Sequence, residues 1–199
     1  MNIKLKLTFI FYFITLSLFA QRFQYGAKLG AGTSNTTNLN GISKPRIGLL
    51  GGAIVKYQLS DRTEEHYIQT ELIYSNQGEF SKDKQGNKYK NFVDYIHIPI
   101  LYKYYFDDQG SDFFLEGGPQ IGFVVSDKID TNAPEFDNNI LKNLDLGINL
   151  GVGYSYNRKA EINLRYSYGL IDTYDYKRWN NGQNKTTFLT LAFTYFFNI

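Results

Sequence analysis

The segment Leu144–Leu170, LDLGINLGVGYSYNRKAEINLRYSYGL, places an apolar or aromatic residue at every second position up to Tyr156. It breaks over 157–159 and then resumes the alternation. The residues between are Asp145, Gly147, Asn149, Gly151, Gly153 and Ser155, then Glu161, Asn163, Arg165, Ser167 and Gly169. Period two sends alternate side chains to opposite faces of an extended chain. The segment therefore reads as a hairpin with one oily face and one polar or nearly bare face. No window of residues 21–199 carries a convincing helical period, and alternation runs almost throughout.

Eight strands are predicted. They lie near 23–34, 46–59, 66–77, 92–106 and 113–125, on the two arms of the 144–170 hairpin, and near 186–199. In the fourth, Ile96, Ile98, Ile100, Tyr102, Tyr104 and Phe106 oppose Tyr95, His97, Pro99, Leu101 and Lys103. In the second, Leu50 and Ile54 blur the pattern. Three connections, 60–65, 107–112 and 157–159, are short polar turns. The other four, near 35–45, 78–91, 126–142 and 171–185, are longer and rich in Asn, Asp, Lys and Gly. Short and long alternate strictly.

This layout predicts an all-β fold, an eight-stranded antiparallel up-and-down transmembrane β-barrel. Such barrels have an even number of strands, short periplasmic turns and long outer loops. Both chain ends then face the periplasm. In lipid every backbone polar group needs a protein partner, so the first strand is expected to close on the last. The rival reading is a soluble barrel or sandwich with the oily face inside. Its solvated face would carry many Lys and Glu, whereas the polar face here repeats Gly, Ser and Asn. Aromatic residues also gather at the short-turn ends of the strands, at Phe23, Tyr25, Tyr57, Tyr104, Phe106, Phe113, Tyr154, Tyr156, Tyr195 and Phe197. That clustering is expected of a membrane–water interface.

Composition agrees, with 17 Tyr and 16 Phe in 199 residues and no Cys. Without Cys there is no disulfide, no thiol nucleophile and no lipid-modified N-terminal Cys. Residues 1–20, MNIKLKLTFIFYFITLSLFA, read as a secretory signal, leaving 21–199 as the barrel domain. Lys4 and Lys6 form its basic start, Leu7–Phe19 its apolar run, and Ala20 the last residue before cleavage. Leu18 departs from the usual small residue, and the alternative is an uncleaved anchor. Loss of residues 1–20 removes two Lys and no acid, so 19 basic residues face 19 acidic ones. This balance, with no basic block, excludes nucleic acid as a partner. The expected partners are outer-membrane lipid and a secretion-system or surface protein.

Eight strands leave an interior that side chains fill. The inward set holds Lys28, Lys56, Lys103 and Arg165 against Glu71, Glu116, Asp145 and Glu161. Buried charges require partners, so a charge network plugging the lumen is expected, with no wide pore. The interleaved glycines make room for the long side chains.

Four stretches, YIHIPILYKYYF (95–106), FFLEGGPQIGFVV (113–125), DLGINLGVGY (145–154) and INLRYSYGL (162–170), resemble the PorT-like outer-membrane β-barrel family of Bacteroidota. The resemblance covers about 23–199. Its most specific parts are the Ile-Pro of strand 4, the Gly-Gly-Pro of strand 5 and the Arg-Tyr of strand 7. It implies an eight-stranded outer-membrane barrel and, through the member that gives the family its name, a link to protein secretion. It brings no catalytic residues.

No catalytic, cofactor or metal set is singled out. His97 points inward at mid-strand and reads as a buried structural histidine, while His66 lies near a periplasmic turn and reads as solvated. Ser75 and Ser155 share the inward face, with nothing tying either to His97. Tyr174, Tyr176 and Trp179 stand among charges in loop 171–185 and are candidate contacts for a sugar or protein, against a loop that packs on itself over the barrel mouth. Asp127, Asp130, Glu135 and Asp137 lack calcium-loop spacing. GAKLGAG (26–32) lies within a strand and opens no helix, so it is no nucleotide motif. The leading reading is a non-enzymatic outer-membrane barrel, structural or partner-binding. The alternatives are a secretion or assembly accessory and a membrane enzyme acting on lipid or peptide.

Overall fold

The computed structural model describes residues 22–37, 44–60, 62–82, 88–129, 141–173 and 184–197. The expected signal segment, residues 1–20, lies outside them, as do Tyr174, Tyr176, Trp179, Asp130, Glu135 and Asp137. Eight strands follow in order: β1 Phe23–Thr36, β2 Lys44–Gln58, β3 His66–Lys82, β4 Lys88–Tyr105, β5 Asp112–Ile129, β6 Leu144–Tyr156, β7 Ala160–Gly169 and β8 Thr186–Phe196. Every neighbouring pair is antiparallel, and β1 pairs with β8 from Gly26↔Phe196 to Thr36↔Thr186, closing the barrel.

The alternation read from the sequence is the partition between outside and lumen. Along β6 and β7 the residues Leu146, Ile148, Leu150, Val152, Ile162 and Leu164 are exposed, while Asp145, Asn149, Glu161, Asn163 and Arg165 are buried. Leu50 and Ile54 resolve as lumen residues. The short-turn girdle forms as ring pairs, including Phe23–Tyr57 at 4.9 Å, Phe113–Tyr154 at 5.1 Å and Tyr104–Phe106 at 5.5 Å. His66 joins it while its side chain stays 37% exposed beside the short turn, as the solvated reading expects. Its ring stacks on Tyr102, and Nδ1 lies 2.6 Å from the Tyr102 hydroxyl.

The strands β3, β4 and β5 are longer than the alternation predicts, at 17, 18 and 18 residues against 13, 10 and 11 for β6, β7 and β8. Segments read as outer loops, 78–82, 88–91 and 126–129, continue the ladder. Above the hydrocarbon a strand needs no apolar column, so its hydropathy resembles that of a loop while its hydrogen bonds persist. A bulge bends the wall there, with Gly78 at φ +122°. Ser34 Oγ donates to Gly78 O at 2.7 Å and accepts from Gly78 N at 3.0 Å.

Close approach between strands explains the Gly-Gly-Pro of β5. A Cβ on Gly118 would sit 2.1 Å from the Ile100 carbonyl oxygen, which backbone cannot yield without breaking the ladder. Gly118→Val is expected to abolish most of the compact, heat-modifiable form on detergent gels. Gly110→Ala, whose nearest neighbour would be Asn157 Cα at 3.5 Å, should fold as the parent does.

Candidate functional site

The inward charges converge because each strand's inward parity, odd on some strands and even on others, brings its charged side chains to one axis. Arg165 of β7 is the hub. Its Nη1 and Nη2 donate to the two oxygens of Glu71, each at 2.8 Å, and its Nε donates to Glu116 Oε1 at 2.7 Å. This fork on a carboxylate is the strongest ion-pair geometry available to a side chain. Lys28 donates to Glu71 at 2.7 Å, and Asn163 to Glu116 at 2.7 Å. Lys103 lies 3.5 Å from Glu116 and 2.6 Å from Glu161. Lys56 reaches Glu161 at 3.1 Å, and both contact the Tyr105 hydroxyl. Seven of the eight residues thus form one connected network. The eighth, Asp145, stands apart from it.

Below this network, toward the short turns, the lumen is aromatic. Tyr67, Tyr105, Phe114 and Phe196 are buried there. Lys56 Nζ lies 4.1 Å from the Phe196 ring centroid and Lys103 Nζ 4.1 Å from that of Phe114. Sequence reasoning missed these four, although their parity with Gln69, Lys103, Glu116 and Thr194 places them inward. Parity is the signal that finds them.

Arg158 was missed for a different reason. It sits in the 157–159 turn, where Asn157 and Arg158 both have φ +52°. Two consecutive left-handed residues make the tight turn that suits a twisted hairpin. The turn folds Arg158 back under the barrel, 2% exposed. Its guanidinium carbon lies 3.8 Å from the Tyr105 ring centroid, and Nη2 donates to Asp107 O at 2.6 Å. The alternation stops at this turn, so no pattern could assign the side chain to a face.

Above the network His97 links two residues far from it in sequence. Its Nδ1 lies 3.4 Å from Ser75 Oγ and its Nε2 lies 3.4 Å from Asp145 Oδ2. This corrects the reading that nothing ties Ser75 to His97. Ser155, by contrast, is fully buried elsewhere with its Oγ unpaired among the described residues. The His97–Asp145 contact depends on Gly122 between them, where a Cβ would fall 2.5 Å from His97 Cδ2.

The trio has the residue types of a hydrolytic triad without its working parts. Both contacts are long, and Ser75 Oγ already accepts from Gln77 Nε2 at 2.9 Å. Backbone N–H groups that would stabilise an oxyanion are held in the strand ladder. The adjoining cavity is about 40 Å³ and is lined by Lys28, Arg165, Gln120, Asn149 and Phe188 among others. At roughly 10–15 Å³ per water it holds a few waters, not an acyl chain. Among the described residues no His, Asp and Glu cluster is arranged to hold a metal.

A family model described as outer membrane protein beta-barrel domain matches residues 19–175. The solved structure of Neisserial surface protein A is similar at a TM-score of 0.54 and 13% identity, over 87% of this chain and 97% of that one. OprG of Pseudomonas aeruginosa has a TM-score of 0.48 at 16% identity, over 89% and 95% of the two chains. The outer membrane enzyme PagL has 0.47 at 11% identity, over 86% and 99%. At these identities the likeness is one of fold. No curated protein matches the chain.

Removing one member of a buried ion pair strands the other, at about 3–5 kcal/mol. Arg165→Met is therefore expected to destabilise the folded barrel by about that amount, read from urea unfolding in detergent micelles. Adding Glu71→Gln should deepen the loss and not repair it, because Lys28, which pairs with Glu71 at 2.7 Å, then loses its carboxylate. A loss below about 1 kcal/mol for Arg165→Met, the size of an exposed pair, would contradict the hub assignment.

Proposed function

The chain belongs to the family of outer membrane protein beta-barrel domains, and we propose that it acts as a non-enzymatic, non-conducting barrel that works through what it displays outside the membrane. One observation carries this reading: the lumen is filled at two levels. The Arg165–Glu71–Glu116 layer crosses it, and Arg158 with Tyr67, Tyr105, Phe114 and Phe196 closes the end nearest the short turns. A solute or ion crossing would have to break buried ion pairs and then pass an aromatic floor. The display surface comprises the extended β3–β4–β5 wall and the loops above it, with Tyr174, Tyr176 and Trp179 as proposed contacts for a secretion-system or surface protein partner. The chain rejoining β8 already touches the mouth. Lys142 N donates to Thr173 O at 3.0 Å, and Thr173 N to Asn184 O at 2.8 Å.

A role as an accessory of protein secretion is the second reading. It is supported by where the PorT-like residues fall: Pro99 is buried on the inward face of β4, Gly118 gives β4 and β5 their close approach, and Arg165 is the hub. Unchanged secretion in a deletion strain would count against it.

In planar bilayers the purified full chain is expected to show no large, stable conductance. A steady open channel in the parent protein would overturn the closed-lumen reading. Arg158→Ala combined with Arg165→Ala is expected to introduce flickering current, since it opens a gap in each layer.

A further inference from the structure

The outer wall above the apolar band carries a second, independent feature. On β4 and the residue just past it, the outward column Ile96, Ile98, Ile100, Tyr102, Tyr104 and Phe106 spans ten residue steps. At ~3.3 Å per residue and a tilt of about 40–45° this covers about 25 Å along the membrane normal, the height of the lipid-facing band in such barrels. The next outward residue, Asp94, stands where headgroups begin. It accepts hydrogen bonds from the Tyr74 hydroxyl at 2.9 Å and from Asn76 Nδ2 at 2.8 Å.

Just above this ledge the outward positions turn basic around two rings. Phe80 and Phe92 pack edge to face at 5.4 Å. Lys44 and Lys90 pair in register with Phe80, and Lys128 with Phe92, so all three share the outward face. The Arg46 guanidinium lies 3.7 Å from the Phe92 ring centroid and is anchored by a 2.6 Å bond from Nη1 to Gln77 O. Among the described residues no carboxylate pairs with Lys44, Arg46, Lys90 or Lys128, and the carboxylate of Asp94 is taken by Tyr74 and Asn76. The facing wall differs. Its rim carries Leu144, Leu170 and Thr187, with Lys185 set over Tyr168 at 5.6 Å.

We infer that the β2–β5 outer wall is a docking site for a phosphate-bearing lipid headgroup of the outer leaflet. The cations stand at headgroup height, where a phosphate lies beside acyl chains that can rest on the apolar column below. Lys and Arg supply charge, and the anchored guanidinium supplies a fork for phosphate oxygens. The two rings sit at the level where aromatic side chains favour the interface. An acidic protein would meet the same charges, but it would not need them placed directly above a lipid-facing column. This inference rests on the outer-membrane location and is independent of the closed lumen.

The test uses the full chain folded in a zwitterionic detergent, with fluorescently labelled lipopolysaccharide as probe and its dephosphorylated form as comparison. The parent is expected to bind the phosphorylated lipid at least about tenfold more tightly than the dephosphorylated one, with affinity falling as salt rises. Lys44→Gln/Lys90→Gln/Lys128→Gln should lose that preference while remaining heat-modifiable. Arg62→Gln/Lys159→Gln, on the exposed short turns, should keep it. If the triple variant fails to fold, Lys90→Gln alone and the salt dependence of the parent decide. Equal binding of both lipids by the parent, or salt-independent binding, would overturn the proposal. So would undiminished preference in a folded triple variant, or in Lys90→Gln if that is the variant used.

Discussion

The backbone cannot leave a hydrogen-bonding group unpaired in hydrocarbon, and the rest of this structure follows from that constraint. An open sheet would present two bare edges to lipid, so β1 must meet β8. Closure with eight strands leaves an interior only as wide as the side chains that enter it. Once closed, the barrel has its apolar surface outside and its polar surface inside, the reverse of a soluble protein. Any charge that points inward is then buried and must be matched there.

The lumen satisfies this demand in layers. At mid-height a guanidinium grips two carboxylates, and those carboxylates in turn hold two lysines. Toward the short turns the remaining cations lie against aromatic faces, which accept positive charge while excluding water. On the other side of the hub the packing loosens into a small polar cavity beside His97. Sealing is thus strongest on the short-turn side. The wetter half faces the mouth, where residues 170–173 and 184–185 begin to fold over it.

The wall is also uneven. The β3–β5 side continues as ladder beyond the apolar band, while β6–β8 end nearer to it. This difference gives the barrel a front. The extended side presents both the bulge pinned by Ser34 and a row of cations beside Phe80 and Phe92 that have no carboxylate partner among the described residues. Whatever approaches from outside the cell, or lies in the outer leaflet, meets a chemically distinct face there.

Much of this was legible from the order of residues, because a strand's period of two ties sequence position to face without reference to anything else. Alternation alone separated lipid-facing Ile98 from inward His97 and Lys103, and the spacing of polar turns counted the strands. It read less well where chemistry and parity disagreed. Tyr67, Tyr105, Phe114 and Phe196 have inward parity but were passed over because aromatic residues are expected at the lipid interface. It failed where the ladder continued past the membrane, since residues 78–82 and 88–91 need no apolar face to remain strand. The unaided sequence determined the fold class, the strand count and the side each residue faces. Only the closed structure decided which inward residues touch. Ser75, His97 and Asp145, or Glu71 and Arg165, lie on different strands, and their meeting depends on register, closure and the empty space at Gly122. Arg158 entered the lumen for a reason no period could encode: a turn of two left-handed residues aimed its side chain back beneath the barrel.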